Sequence, residues 1–187
     1  MVNIKTLNFH YEKKLVQLLH EKNLKIATAE SCTGGLISKM ITDVSGASNV
    51  FECGICSYSD RIKKNLLNVH RSTLEKYSAV SSQVAIEMAE NVRKISNADI
   101  GLSTTGYAGP SATSKNEKVG LVYIGISTEK FSKAIKLNIK TKYLNSTRNN
   151  IRKIASAKAI LLAIRTTKIL ASSSIITYTE KSHKILE

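Results

Sequence analysis

The chain has 187 residues, of which 42% are hydrophobic, and its 28 lysines and arginines against 14 acidic residues give a net charge of +14. This length and composition are those of one folded domain with its own core, and they exclude a disordered or collagen-like chain. No apolar stretch approaches the roughly 20 residues of a membrane span, and the amino terminus lacks the apolar core of a signal peptide. We therefore expect a cytoplasmic protein that does not enter a membrane.

The positive charge alone does not predict a nucleic-acid partner. Basic residues are spread over the whole length, most are lysines, and no Trp or aromatic platform is interleaved with them. A basic surface attracts phosphates of any kind. We expect an anionic small molecule rather than DNA or RNA as the partner, while direct nucleic-acid binding stays an alternative that rests on charge.

The first half of the chain alternates helix and strand patterns. Leu15, Leu18 and Leu19 recur at helical spacing, and a short apolar run after them is typical of a buried strand. A glycine turn and a second helical pattern follow this strand. The predicted elements are a helix at 11–22, a strand at 24–29, a turn at 30–35, a helix at 36–44, a strand at 50–58, and helices at 60–67 and 72–78.

The second half contains the clearest helix, which a serine opens and which places Val84, Met88 and Val92 on one stripe. Helices interleaved with strands, together with a late hairpin, predict one α/β sandwich with a mixed sheet over residues 1–170. The tail at 171–187 is expected to be loosely attached. The predicted elements are a helix at 81–95, a strand at 100–105, a loop at 104–110, hairpin strands at 120–128 and 132–140, and a long helix at about 145–170.

Cys53 and Cys56 form a C-x-x-C motif, the spacing of a redox pair or of half a zinc site. The motif lies in a β-like run, where residues three apart point to opposite faces. Cys32 and four scattered histidines provide no second pair of zinc ligands. We therefore expect no metal and no cofactor, and we expect buried cysteines that pack as small hydrophobic residues.

Ser48 and Lys63 are a candidate nucleophile and base. A serine hydroxyl attacks an amide carbonyl only when a neighbouring group accepts its proton, and a buried lysine amine with a lowered pKa is able to do so. Ser48 precedes the strand at 50–58 and Lys63 follows it, so the flanking turns could bring them together. Tyr58 could orient the amine. One such pair among 28 basic residues is a weak signal alone.

Two loops, ESCTGG at 30–35 and TTGYAGP at 104–110, directly follow predicted strands. The carboxyl ends of strands in open α/β sheets are where ligands bind. Glycines let the backbone approach a ligand, and the free N–H groups at a helix start favour an anion. Two such loops predict one cleft, although a simple tight turn explains ESCTGG equally well.

Taken together, the segments resemble the C-terminal domain of the competence/damage-inducible CinA family, which also occurs as a stand-alone nicotinamide-nucleotide amidase. The resemblance covers about residues 8 to 168 and implies a three-layer α/β/α fold and a homo-oligomer. It also implies hydrolysis of nicotinamide mononucleotide to nicotinate mononucleotide and ammonia, without a metal. The segments that carry it are TAESCTGG at 28–35, ITDVSGASNVFECGICSYSDRIKKNLLNV at 41–69, STLEKYSAVSSQVAIEMA at 72–89, STTGYAGP at 103–110 and GLVYIGI at 120–126.

The resemblance implies roles for individual residues. Ser48 in GASNVF is similar to the family's nucleophile and Lys63 in YSDRIK to its general base, and Tyr58 and Thr105 assist them. Arg148 in STRNNIR resembles the residue that meets the substrate phosphate. The residues implied to bind the substrate are Ser31, Thr33, Gly34, Gly35, Gly106 and Arg148.

The sequence departs from the family pattern in three places. The loop after Pro110 runs SATSKNEKVG without the usual further glycines and proline, Thr147 replaces the acidic residue before Arg148, and Asp60 stands where Asn is frequent. These departures concern substrate fit. They keep open the alternative of a non-catalytic CinA-like protein that binds nucleotides or partners in a competence or DNA-damage response.

Overall fold

The structure is a computed structural model that describes residues 10–110, 118–140 and 147–183, with side chains in the last segment from 148 to 172. The altered loop at 111–117 and the predicted start of the last helix at 145–146 lie outside the described residues.

The described residues form six helices and five strands, in the order that the sequence patterns predict. The helices are α1 (Tyr11–Glu21), α2 (Leu36–Thr42), α3 (Asp60–Leu67), α4 (Arg71–Tyr77), α5 (Ser82–Ile95) and α6 (Thr147–His183). The strands are β1 (Ile26–Glu30), β2 (Phe51–Cys56), β3 (Ile100–Gly106), β4 (Leu121–Ser127) and β5 (Ser132–Asn138), and a 3-10 turn at Ala47–Asn49 precedes β2.

The five strands form one mixed sheet in the order β2-β1-β3-β4-β5. β1 pairs in parallel with β2 and with β3, whereas β3, β4 and β5 pair in antiparallel fashion. The mixed sheet and the late hairpin are thereby confirmed. β1 lies between β2 and β3 in the parallel half of the sheet. The segments that precede and follow β1 therefore lie between the corresponding segments of β2 and β3.

Helices cover both faces of the sheet, which confirms the three-layer α/β/α fold. Ile26 of β1 packs into the core formed with α1, α2 and α6, while Ala27 and Ala29 pack into the core formed with α3, α4 and α5. Val84, Met88 and Val92, the predicted stripe of α5, are fully buried in this second core. The side-chain period of two along β1 thus assigns each of its residues to one layer.

Helix α6 is longer than the sequence patterns predict. It packs against α1 and α2. The sequence predicts that this helix ends near residue 170, whereas it continues to His183. No helix within the described segments has the length and apolar character that crossing a membrane requires.

The connections after β1 and β2 leave the sheet in opposite directions. The loop at 31–35 leads from β1 into α2 on one face, whereas residues 57–59 lead from β2 into α3 on the other. Divergence of neighbouring connections opens a crevice at the carboxyl ends of parallel strands. The amino-terminal part of α6 reaches the same end, because Arg152 contacts Thr33.

Candidate active site

Lys63 is a buried basic side chain at the carboxyl end of the parallel strands. It lies in the first turn of α3, which begins after the Ser59 cap, whose hydroxyl accepts a hydrogen bond from the N–H of Ile62. Lys63 is 2% exposed, and this burial lowers the pKa of its amine. The Asp60 carboxylate, 3.7 Å from Lys63 Nζ, opposes that decrease. The requirement for a buried amine is therefore met.

Lys63 is close to the loop at 31–35. Its charge acts on the thiol of Cys32, whose pKa is raised to about 12, chiefly because the thiol is buried. A thiol with this pKa is protonated at neutral pH and does not serve as a nucleophile. Cys32 therefore places the loop within electrostatic range of Lys63 without providing the reacting group.

The loop at 31–35 is fixed from two sides. The N–H of Ser31 donates to the carbonyl of Thr104 in β3 at 2.9 Å, and the hydroxyls of Thr33 and Thr104 are 2.6 Å apart. From α6, Arg152 donates two hydrogen bonds to the carbonyl of Thr33, at 3.1 and 2.9 Å. These contacts hold the loop in one place relative to Lys63.

Ser31 carries a free hydroxyl in this loop. Its backbone bond to Thr104 continues the β1–β3 ladder by one residue, so its side chain follows the alternation of Ala27 and Ala29 toward the α3 layer. Ser31 is 9% exposed, and no described residue forms a hydrogen bond with its hydroxyl. By this alternation Ser31 lies on the Lys63 side of the carboxyl edge.

The fold does not bring Ser48 to Lys63 within one chain. Ser48 is exposed in the 3-10 turn before β2, and two residues later the carbonyl of Val50 accepts from the N–H of Ile26, the first residue of β1. This is the amino end of the parallel strands. The six residues of β2 span about 20 Å. The predicted pairing fails because α2 carries the chain back across the sheet before β2 begins.

Tyr58 and Arg148 contact each other rather than Lys63. The side chain of Tyr58 is 63% exposed, and its hydroxyl accepts a hydrogen bond from Arg148 Nη2 at 2.5 Å. Arg148 Nη1 also donates to the carbonyl of Gly109 at 2.6 Å. Arg148 thereby joins α6 to the segments that follow β2 and β3, across the predicted cleft.

Thr105 and Gly106 have structural roles in β3. The hydroxyl of Thr105 donates to the carbonyl of Ala79 at 2.7 Å, which ties β3 to the segment between α4 and α5. A Cβ at Gly106 would lie 2.5 Å from the carbonyl oxygen of Leu121 in β4, so only glycine fits there. Strand packing accounts for Gly106.

Glu30 occupies the start of α2, where the sequence predicts anion binding. Its buried carboxylate accepts from the N–H groups of Ile37 and Ser38 and from the Ser38 hydroxyl. Gly34 and Gly35 have φ of +58° and +86°, a backbone that places this turn directly before the helix. The carboxylate of Glu30 therefore occupies the helix start, where the sequence predicts a bound anion.

Two further residues of this edge escape the sequence patterns. Arg152 lies one helical turn after Arg148, a spacing that shares a face and could have indicated a second cleft arginine. Ser57 is fully buried, and its hydroxyl has no hydrogen-bond partner among the described residues. No pattern of residue types distinguishes Ser57 from an ordinary strand-end serine.

The cysteines of β2 lie on opposite faces, as the strand period predicts. Cys53 packs against the α5 core, whereas Cys56 is exposed, so the expected burial of both cysteines is wrong for Cys56. Burial is the main cause that raises the pKa of each thiol. Within the described ranges, no group of three or more histidine, cysteine or acidic side chains is arranged to hold a metal ion.

The fold and this edge define an α/β domain with a candidate site centred on a buried lysine. The CinA C-terminal domain family matches residues 8–167. The chain therefore belongs to this family.

Within the aligned stretch, about half of the residues of the curated relatives are identical to those of this chain. A protein of Thermoanaerobacter pseudethanolicus, provisionally named competence-damage inducible protein, is 51% identical over 141 residues, which are 75% of this chain and 33% of the relative. A protein of Clostridium novyi with the same name is 48% identical over 134 residues, 72% of this chain and 31% of the relative. The chain spans about a third of the length of these relatives.

Solved structures of the family have the same fold. The competence/damage inducible protein CihA of Agrobacterium tumefaciens has a TM-score of 0.76 at 30% identity, covering 83% of this chain and 93% of that one. A competence or damage-inducible protein of Enterobacter asburiae has a TM-score of 0.79 at 27% identity, covering 84% and 96%.

Proposed function

We propose that the chain is an amidohydrolase that converts nicotinamide mononucleotide to nicotinate mononucleotide and ammonia. The observation that carries this proposal is a lysine amine withdrawn from solvent beside a loop with a free serine hydroxyl. Burial favours the neutral amine, which is the form that accepts a proton. Membership of the CinA C-terminal domain family supports the substrate.

The proposed nucleophile is Ser31, in place of Ser48. The neutral amine of Lys63 takes the hydroxyl proton as Ser31 Oγ attacks the carboxamide carbon, and backbone N–H groups of the loop hold the oxyanion. The Lys63 ammonium then gives this proton to the departing nitrogen, which leaves as ammonia. A water molecule attacks the resulting ester, Lys63 accepts its proton, and Ser31 Oγ regains a proton as nicotinate mononucleotide departs.

The substrate phosphate is proposed to meet the guanidinium of Arg148, while Arg152 holds the loop. Arg148 already donates to Tyr58 and to Gly109, so a phosphate competes with one of these acceptors. A charged phosphate is the stronger acceptor. Thr33 and Gly34 lie against Arg152, and together with Gly35 they are proposed to line the cleft.

The alternative is a domain that binds a nucleotide without turnover. The ion pair between Asp60 and Lys63 favours it, because an ammonium beside a carboxylate keeps its proton and does not act as a base. Under this alternative the arginines still bind a phosphate, and replacement of Lys63 leaves nucleotide binding intact.

The test is ammonia release from nicotinamide mononucleotide by the wild-type chain, with calorimetric binding as a second readout. Lys63→Ala is expected to lose at least about a thousandfold in kcat while it still binds the nucleotide. Lys25→Ala is the matched control, since Lys25 pairs with Glu52 at the other end of the strands. Binding without turnover by the wild type supports the alternative, and absence of both contradicts both functions.

A further inference from the structure

The amine of Lys63 and the carboxylate of Asp60 form an ion pair in which the lysine is buried and the aspartate is exposed. The two residues are one helical turn apart in α3, and Asp60 Oδ1 lies 3.7 Å from Lys63 Nζ. The Lys63 side chain is 3% exposed, whereas that of Asp60 is 62% exposed. The lysine therefore depends on its surroundings for its charge state, while the aspartate stays hydrated.

The other groups around Lys63 leave Asp60 as the main source of negative charge among the described residues. Cys32 faces the amine from the β1–α2 loop, and its thiol is neutral because burial raises its pKa to about 12. The Glu30 carboxylate beyond it is engaged with the start of α2. In α5, which packs against α3, the side chain of Glu87 binds His70 and Thr73 instead.

We propose that Asp60 sets the pH at which Lys63 loses its proton, and that it thereby sets the pH range in which the domain hydrolyses its amide substrate. The second half of this proposal rests on the proposed amidase function. Asp60 acts through Lys63 and touches no reacting atom, so it is a positioning residue.

The proposal follows from two opposing effects on one amine. Burial favours the neutral form of Lys63, and the carboxylate of Asp60 favours the charged form. Because Asp60 is largely exposed, water and salt screen its effect, and the shift it causes is modest. Removal of the charge leaves burial unopposed, so the amine loses its proton at a lower pH.

The experiment titrates Lys63 directly in the wild type and in Asp60→Asn. Lysine labelled with 13C at Cε reports each amine by NMR, and the Lys63 signal is the one that disappears in Lys63→Met. The midpoint for Lys63 is expected to fall by about 0.5 to 1 pH unit in Asp60→Asn. The acid limb of the kcat/KM profile is expected to move with it, so that kcat/KM below the limb rises about three- to tenfold.

Two variants control for structural effects. Asp60→Glu keeps the charge and is expected to titrate like the wild type, which also covers the case in which the asparagine variant folds poorly. Asp43→Asn removes the carboxylate of another helical pair, with Lys39, and is expected to leave Lys63 unchanged.

An unchanged Lys63 midpoint in folded Asp60→Asn overturns the proposal. A shifted midpoint with an unshifted kcat/KM limb overturns its second half. A shifted midpoint in a protein without deamidase activity supports the role of Asp60 and contradicts the amidase function, so the two failures are distinguishable.

Discussion

The two ends of the parallel strands use polar residues in opposite ways. At the carboxyl end polar side chains are buried, whereas at the amino end apolar residues are buried and the polar ones face solvent. Buried polar residues at the carboxyl end are Glu30, Ser31, Thr33, Ser57, Lys63 and Thr104. Buried apolar residues at the amino end are Ile26, Ala47, Val50, Ala98 and Ile100.

This difference supports the carboxyl end as the place of the proposed chemistry. Burying a polar or charged group costs free energy unless it is hydrogen-bonded, so a fold selected for stability alone would not collect such groups at one end. A lysine at 2% exposure is the clearest case. At the amino end the same strands close with apolar residues.

The largest expected effect compares the serines of the two ends. Ser31→Ala is expected to reduce kcat for nicotinamide mononucleotide at least about a thousandfold, because the nucleophile is removed. Ser48→Ala is expected to stay within about twofold of the wild type, because Ser48 is exposed at the amino end. Ammonia release measures both, with circular dichroism to confirm folding.

The reverse result would break the comparison. If Ser48→Ala were inactive and Ser31→Ala active, Ser48 would have to reach Lys63 from a second copy of the chain. Sedimentation of the active protein would then have to show an oligomer.

The next effect compares two carboxylates that accept hydrogen bonds from backbone N–H groups, Glu30 at the carboxyl end and Asp99 at the amino end. Glu30→Gln is expected to lower the free energy of unfolding by about 2 kcal/mol, because the buried acceptors for Ile37 and Ser38 are weakened. Asp99 accepts from the N–H of Lys25 at 2.7 Å but is exposed. Asp99→Asn is expected to cost under about 1 kcal/mol, since water replaces the lost bond.

Urea unfolding of both variants measures this difference. Equal losses would show that burial of the carboxylate is not what distinguishes the two ends. A larger loss for Asp99→Asn would place the more important cap at the amino end.

The elements of the fold were predictable because each has a local pattern. The stripe of Val84, Met88 and Val92 and the alternating runs of β4 and β5 depend only on neighbours along the chain. The end of α6 was not predictable. The helix continues from residue 170 to His183, and no glycine or proline marks its end.

The site was predictable only in part, because it depends on which end of a strand each residue occupies. Lys63 follows β2, whereas Ser48 is also near β2 in sequence but precedes it. Sequence distance does not distinguish these cases. Glu30 and Arg152 act through bonds to backbone groups seven and 119 residues away, which only the folded chain brings together.

The smallest expected effect is on the free energy of unfolding, and it compares Lys63 at the carboxyl end with Lys25 at the amino end. Burial lowers the pKa of folded Lys63 from 10.5, so below that pH the unfolded chain binds the proton more readily than the folded chain. Lys63→Met is therefore expected to raise the free energy of unfolding at pH 7 by about 1 kcal/mol. The gain shrinks as pH rises toward 10.5, because the wild type then loses the same charge in both states.

Lys25→Met provides the matched control at the amino end. The side chains of Lys25 and Glu52 are each 38% exposed, with Nζ and Oε1 2.9 Å apart, so the variant is expected to lose under about 1 kcal/mol and to gain none. Urea unfolding between pH 7 and pH 10 compares the two variants. A Lys63→Met protein that is less stable than the wild type at pH 7 would show that Lys63 contributes to folding. The buried amine would then need no catalytic role to explain its place in the fold.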